Sequence, residues 1–367
     1  MTRFLHLLLA LLLPTVAFAQ APPPYTAALV VDPVTDEVLF EHNADRPEPV
    51  ASMTKMMTLL VVLDAIETGE LAWDTEVEAS AAAAALGGSQ VYLAHREVFP
   101  VRDLVAATMV HSANDAALAL AEAVAGDEDS FVELMNAKAD ALGLQHSRFR
   151  SAHGLPQDDG VDDVMSVRDL AVVGWEVMQD PTLRELAGTK TKPFRDGEFT
   201  LYNPSHLLRN YDKTTGIKTG FHDDAGFCIT ASAKEGDTEL IAVVVGSRNK
   251  DDNFGSAEEL LESALQRYRR VRPVTKDQPL AQAVPVTDGE ATSVRVAPTD
   301  DVVLTVASDE TVAVTRHTPA VAAPVWAGQR LGYLHVTVGD EELKVPVVAT
   351  DDVPEKQTWF QRLWPFD

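Results

Sequence analysis

Apolar and polar positions alternate with different periods along the chain. "AALVVD" and "EVLFE" are β-rich runs on either side of Asp32-Pro33-Val34-Thr35, a turn signal, and predict a hairpin from Ala27 to Glu41. From Ser52 to Glu67 the chain is apolar nearly all round a helical wheel and closes with Gly69 as a C-cap, the pattern of a helix buried on all sides. Helical sequence recurs from Arg102 to Val124, but "HSAND" at His111 to Asp115 favours a turn, so two helices joined by a tight polar corner are predicted. "TTGIKTGF", "GFCITASA" and "ELIAVVVGS" predict an antiparallel meander from Thr215 to Ser247. Ser256 with Glu259 reads as a capping box for a helix reaching about Arg270.

After Pro273 helical periodicity fades and runs such as "VVLTVA" and "YLHVTV" alternate, which predicts a small all-β domain over residues 273–350. The tail at 354–367 gathers Trp359, Phe360, Leu363, Trp364 and Phe366. It reads as a membrane-surface anchor, with a strap docked on the β domain as the alternative. At the other end Arg3, the apolar run Leu7 to Leu13 and the A-x-A pair Ala17 and Ala19 read as an export signal over residues 1–19. The run is too short for a membrane span.

Composition changes this picture in two ways. A formal net charge of -26, from 30 basic and 56 acidic residues, excludes nucleic acid as a partner, since no basic patch offsets it. The single cysteine, Cys228, lies in an alternating run and reads as a small buried side chain. An exported chain with one cysteine has no internal disulfide and depends on its packed core.

Against this background three short polar motifs stand out. Ser52 and Lys55, in "ASMTK", lie one helical turn apart at the head of the buried helix, close enough to share a proton. Polar groups are costly to bury without partners, and a desolvated lysine beside another cation loses basicity and can deprotonate a hydroxyl. At a helix start the Ser52 N–H has no helical partner and can face an oxyanion. Ser247 and Lys250 share the S-x-x-K spacing but sit at a strand end, where the pattern reads as chance.

The second motif, Ser112 and Asn114, lies in the polar corner, where ordinary capping competes with proton relay and amide binding. His111 beside it reads as a packed or surface histidine. The third is Lys218-Thr219-Gly220 on a predicted strand. It offers a cation for an anionic group and a glycine that leaves room for close approach of a ligand.

Taken in order, S-x-x-K at Ser52, S-x-N at Ser112 and K-T-G at Lys218 resemble the penicillin-recognising serine acyltransferases. The stretches "DGEFTLYNPSHLLRNYDKTTGIKTGFHDDAGFCITASA", "AHGLPQDDG" with "MSVRDLAVVG", and "APVWAGQRLGYL" extend the likeness from Tyr25 towards the carboxyl end. There the chain is similar to the low-molecular-mass D-alanyl-D-alanine carboxypeptidases.

The resemblance implies an α/β (α+β) penicillin-binding-protein/β-lactamase-like catalytic domain over residues 25–272, with an antiparallel sheet and a helical subdomain, followed by the β domain. It implies Ser52 as nucleophile on a peptidoglycan stem peptide, Lys55 as its base, Ser112 as proton relay and Asn114 as holder of the peptide amide. Lys218 with Thr219 would bind the terminal carboxylate, Gly220 beside them leaving the substrate room, and the N–H groups of Ser52 and Phe221 would hold the oxyanion, with Arg248 adding positive potential. β-Lactam antibiotics would act as acylating inhibitors. The compartment implied is the periplasm, at the outer face of the inner membrane.

Rival readings stay open at this point. A class A β-lactamase carries an E-x-x-x-N stretch between the second and third motifs, but "SAHGLPQDDGVDDVMSVRDL" has no glutamate, leaving Asp158 or Asp162 as substitutes. A D,D-endopeptidase shares all three motifs, and a non-catalytic wall-binding protein would be expected to have lost one. No cofactor or metal is expected: the ten histidines are scattered without an H-x-x-x-H pair, and His153 before Gly154 reads as a turn former.

Overall fold

The computed structural model describes residues 22–156 and 160–357. The expected export signal, Asp158 and most of the aromatic tail lie outside the described residues. Among the described residues no helix is long and apolar enough to cross a membrane.

The hairpin forms as β1 (Ala27–Asp32) and β2 (Glu37–His42). The apolar segment after Val50 opens with a 3-10 turn, Ala51–Thr54, and continues as α1 (Lys55–Glu67). Ten of the thirteen α1 residues are buried, as an apolar wheel requires, because helices surround it. The polar corner at 111–113 separates α2 (Val101–Val110) from α3 (Asn114–Ala125). Next come α4 (Glu128–Ala141) and α5 (Val167–Gln179).

The meander is β3 (Thr214–His222), β4 (Gly226–Glu235) and β5 (Thr238–Ser247). With the hairpin it makes one five-stranded antiparallel sheet in the order β2-β1-β5-β4-β3, so β3 forms an edge. The period-2 alternation divides each central strand between two cores. Ile241, Val243 and Val245 face the helices around α1, while Leu240, Ala242 and Val244 face α6 (Lys250–Arg267).

The helix after β5 differs from the sequence expectation. It begins at Lys250 rather than near Ser256, because Asn249 caps it by accepting the Asp252 N–H at 2.8 Å, with Asp251 and Asp252 in the first turn. Ser256 and Glu259 therefore lie inside a continuous helix. It stops at Arg267, since Tyr268–Val274 is a strand, β6, paired with β7 (Val302–Ala307). The expected domain division at 272/273 falls inside β6.

A third, separate apolar cluster, from Val274 to Val353, forms the core of the C-terminal β unit. It is joined to the sheet through Asp32 in the hairpin turn. This wholly buried carboxylate pairs with Arg270 and accepts the Thr305 hydroxyl at 2.6 Å. A buried carboxylate survives only with such partners.

Candidate active site

The 3-10 turn brings Ser52 to the surface of a cleft and turns Lys55 inward. Lys55 Nζ lies 2.8 Å from Ser52 Oγ and donates to the His153 carbonyl at 2.6 Å. Ala51, just before the serine, has φ +48°, a left-handed conformation that a non-glycine residue adopts at a cost. Ser112 in the polar corner is also left-handed, with φ +62°. The residue before one serine and the other serine itself are thus held by their surroundings rather than by local preference.

Lys55 is completely buried, and its pKa falls well below the ordinary lysine value. Burial is the main cause and the charge of Lys218 the next; Asp163 and Asp115 oppose the shift. Lys218 is buried on β3 and donates to Ser112 Oγ at 2.7 Å and to the Thr219 carbonyl at 3.0 Å. Burial pushes its pKa down to about 7. Two lysines of weakened basicity thus each meet one serine hydroxyl.

Two glycines permit this approach. A Cβ on Gly220 would lie 2.6 Å from the Val50 carbonyl and 3.2 Å from Ala51 Cβ. The glycine thus lets β3 press against the turn before Ser52. Gly154, with φ +76°, would place a Cβ 2.1 Å from the Ala51 carbonyl. That close packing brings the His153 carbonyl over Lys55.

Asn114 donates from Nδ2 to the Gly87 carbonyl at 2.7 Å, while its buried Oδ1 has no hydrogen-bond partner among the described residues. An orphaned buried acceptor beside a cavity is suited to a ligand N–H. The neighbouring Asp115 carboxylate receives the N–H groups of Val91 and Leu93, which pins the segment carrying Gly87 and Ser89.

These groups border one cavity of about 350 Å³. Ser52, Ser112, Asn114, Thr219, Gly220 and Phe221 line it, and Lys218 reaches it through Ser112. Phe221 is half exposed and packs, tilted, against Phe227, with centroids 4.2 Å apart. Arg248 is not among these residues. It is exposed and borders a separate depression with Pro22 to Thr26. Among the described residues that line the cavity, the cation is Lys250, beside Asn253 and Phe254.

Lys250 has no sequence signal of its own: Asn249, not Ser256, starts the helix, and this sets Lys250 against the cleft. The Asn249–Asp252 spacing was the available signal. His153, taken as a turn former, also presents its carbonyl to Lys55, a backbone role with no sequence signature. His111 is half-buried, and its Nδ1 accepts the Tyr202 N–H at 3.1 Å. Cys228 is buried and its thiol pushed up to about 12, so it is not a nucleophile here.

The side-chain donor atoms of Asp162, His222 and Asp224 lie within 4.8 Å of one another. His222 Nδ1 accepts the Ala225 N–H at 3.1 Å, so the neutral ring carries its proton on Nε2, the atom 3.8 Å from Asp162. The ring thus turns an N–H, not a lone pair, toward the carboxylates.

Residues 18–249 match the family described as D-alanyl-D-alanine carboxypeptidase, and residues 268–355 match the C-terminal domain of penicillin-binding protein 5. The chain is 31% identical to D-alanyl-D-alanine carboxypeptidase DacC of Escherichia coli (strain K12), over 93% of this chain and 86% of that one. The crystal structure of D-alanyl-D-alanine carboxypeptidase DacD from Francisella tularensis superimposes with a TM-score of 0.70 at 27% identity, covering 90% of this chain and 94% of that one. Penicillin-binding protein D2 from Listeria monocytogenes, in its ampicillin-bound form, matches at 31% identity with a TM-score of 0.61, over 66% of this chain and 98% of that one.

Proposed function

The chain belongs to the D-alanyl-D-alanine carboxypeptidase family, and on that premise we propose how its cleft works as a serine-type carboxypeptidase. The substrate is the stem peptide of peptidoglycan ending in D-alanyl-D-alanine. The observation that carries this reading is the 2.8 Å contact between Ser52 Oγ and the buried, weakly basic Lys55. A lysine that has lost its charge has a lone pair for the hydroxyl proton.

Ser52 Oγ attacks the carbonyl carbon of the penultimate D-alanine and gives its proton to Lys55 Nζ. The oxyanion rests between the N–H groups of Ser52 and Phe221, which both border the cavity. As the C–N bond breaks, the leaving amine of the terminal D-alanine takes a proton through Ser112 Oγ, which Lys218 supports from 2.7 Å. Water then adds to the ester, and the acid leaves with Ser52 restored.

The substrate's terminal carboxylate meets Thr219 and Lys218, with Lys250 supplying further positive charge in a chain of net charge -26. The orphan Oδ1 of Asn114 accepts a peptide N–H of the stem. A β-lactam presents a comparable carbonyl and carboxylate, and its leaving amine stays tethered in the acyl-enzyme. It therefore acylates Ser52 and is released slowly.

We assign the enzyme to the periplasm from the signal expected at residues 1–19, with surface contact to the inner membrane through the tail at 354–367. The test of the activity is D-alanine release from a stem-peptide mimic by the mature protein and by Ser52→Ala. Release that the variant lacks supports the reading, and equal release by both overturns it.

A further inference from the structure

The carbonyl that receives Lys55 is itself held in place. Residues 150–155 pass over the head of α1 and turn two carbonyls onto it. Ala152 C=O accepts the Thr58 hydroxyl at 2.6 Å, and His153 C=O accepts Lys55 Nζ at 2.6 Å. The donors of these same two residues converge on one oxygen, Oε1 of Glu128 at the start of α4. It accepts the Ala152 N–H at 2.8 Å and lies 3.3 Å from His153 Nε2.

The tautomer follows from the other ring nitrogen. His153 Nδ1 accepts the Leu155 N–H at 3.1 Å, so the neutral ring carries its proton on Nε2 and directs it at Glu128. Burial, and after it the charge of Lys55, pushes the His153 pKa down to about 3, which keeps the ring neutral at working pH.

Folding of the turn does not by itself call for Glu128. Asp163 already accepts the N–H groups of Arg150 and Ser151 and the Ser151 hydroxyl, and Ser151 Oγ accepts the Gly154 N–H at 2.8 Å. Glu128 acts on the two residues whose carbonyls face α1. We propose that Glu128 is a positioning residue for the Ser52–Lys55 pair, one carboxylate oxygen fixing Ala152 and the His153 ring so that the His153 carbonyl stays on Lys55 Nζ. This rests on the reading of Ser52 as nucleophile and Lys55 as base. With one N–H of the neutral amine committed to that carbonyl, its lone pair is directed at the Ser52 hydroxyl.

A signature in pH follows. The charged and titratable groups that act on Lys55 are Lys218, Asp163 and Asp115, with the neutral His153 beside them. Glu128 itself faces Asp163, Asp129 and Glu122, and burial chiefly raises its pKa. A carbonyl bonds an ammonium more strongly than an amine, so the His153 carbonyl supports the charged form of Lys55. Releasing it lowers the Lys55 pKa further and moves the acid limb of acylation to lower pH, while the plateau rate falls.

The experiment compares Glu128→Gln, which keeps Oε1 as acceptor, with Glu128→Met, which keeps the length and removes the acceptor. Penicillin acylation is followed against pH, with the melting midpoint measured alongside. The expected result is a Met variant about ten- to hundredfold slower at its plateau, with its acid limb displaced downward, and a Gln variant that recovers most of the rate. A folded Met variant that acylates as the wild type does, or a Gln variant as slow as the Met one, overturns the proposal. If Glu128→Met does not fold, Glu128→Ala replaces it under the same criteria. A wild type that penicillin does not acylate would instead defeat the assignment of Ser52.

Discussion

Lys218 Nζ and Ser112 Oγ are 2.7 Å apart although 106 positions separate them in the chain. The contact joins the edge strand of the sheet to the corner between two helices. It therefore couples the group to which we assign carboxylate recognition to the hydroxyl to which we assign proton relay. Ser112→Ala is expected to lower acylation and D-alanine release by about a hundredfold or more, the usual weight of a positioned proton-transfer group. The melting midpoint should change little. Rapid-mixing acylation with a chromogenic β-lactam checks this, and an unimpaired Ser112→Ala would remove the relay.

The two lysines predict opposite effects of pH on binding and on stability. Lys218, with a pKa of about 7, loses its charge as pH rises through neutrality, so KM for a carboxylate-ended peptide should climb above pH 7. Stability moves the other way. A lysine whose folded pKa lies below its unfolded value near 10.4 disfavours the fold fully below pH 7, and that penalty is relieved as pH rises toward 10. Lys55 adds in the same direction. Lys218→Met should thus melt higher than the wild type at pH 6, and the gap should narrow steadily as pH rises toward 10.

Gly220 sets the distance between β3 and the turn that carries Ser52. Gly220→Ala would force a methyl to within 2.6 Å of the Val50 carbonyl, and backbone must move to admit it. The expected outcome is about 1–3 kcal/mol of lost stability together with acylation at least tenfold slower. Chemical denaturation and β-lactam acylation report the two effects. Unchanged values for both would mean that the contact is not a constraint.

Lys250 and Arg248 differ by two positions and lie in different depressions. Lys250→Ala should raise KM for the stem-peptide mimic several-fold, as loss of one cation near a carboxylate implies. Arg248→Ala should leave it unchanged. The reverse result would return the carboxylate to Arg248.

Much of this was legible in the sequence, for a local reason. The hairpin, the buried helix, the polar corner and the meander each follow from apolar period and turn chemistry within a few residues, and so do the three motifs. What escaped depends on groups that sequence pattern does not mark. The His153 carbonyl is a backbone acceptor 98 positions from Lys55. That Gly220 also lets β3 press against the turn at Val50 is invisible until the two segments are seen together. Lys250 escapes because Asn249 outcompetes Ser256 as the cap, and a helix starting seven residues earlier turns a different cation toward the cleft.

The measurement that bears most directly on the account is the site of acylation. The mature protein is incubated with a penicillin, quenched, digested and mapped by mass. The account predicts one adduct, on the peptide containing Ser52, absent from Ser52→Ala and strongly reduced in Lys55→Met. An adduct on another residue, or an adduct that survives in Ser52→Ala, would contradict it.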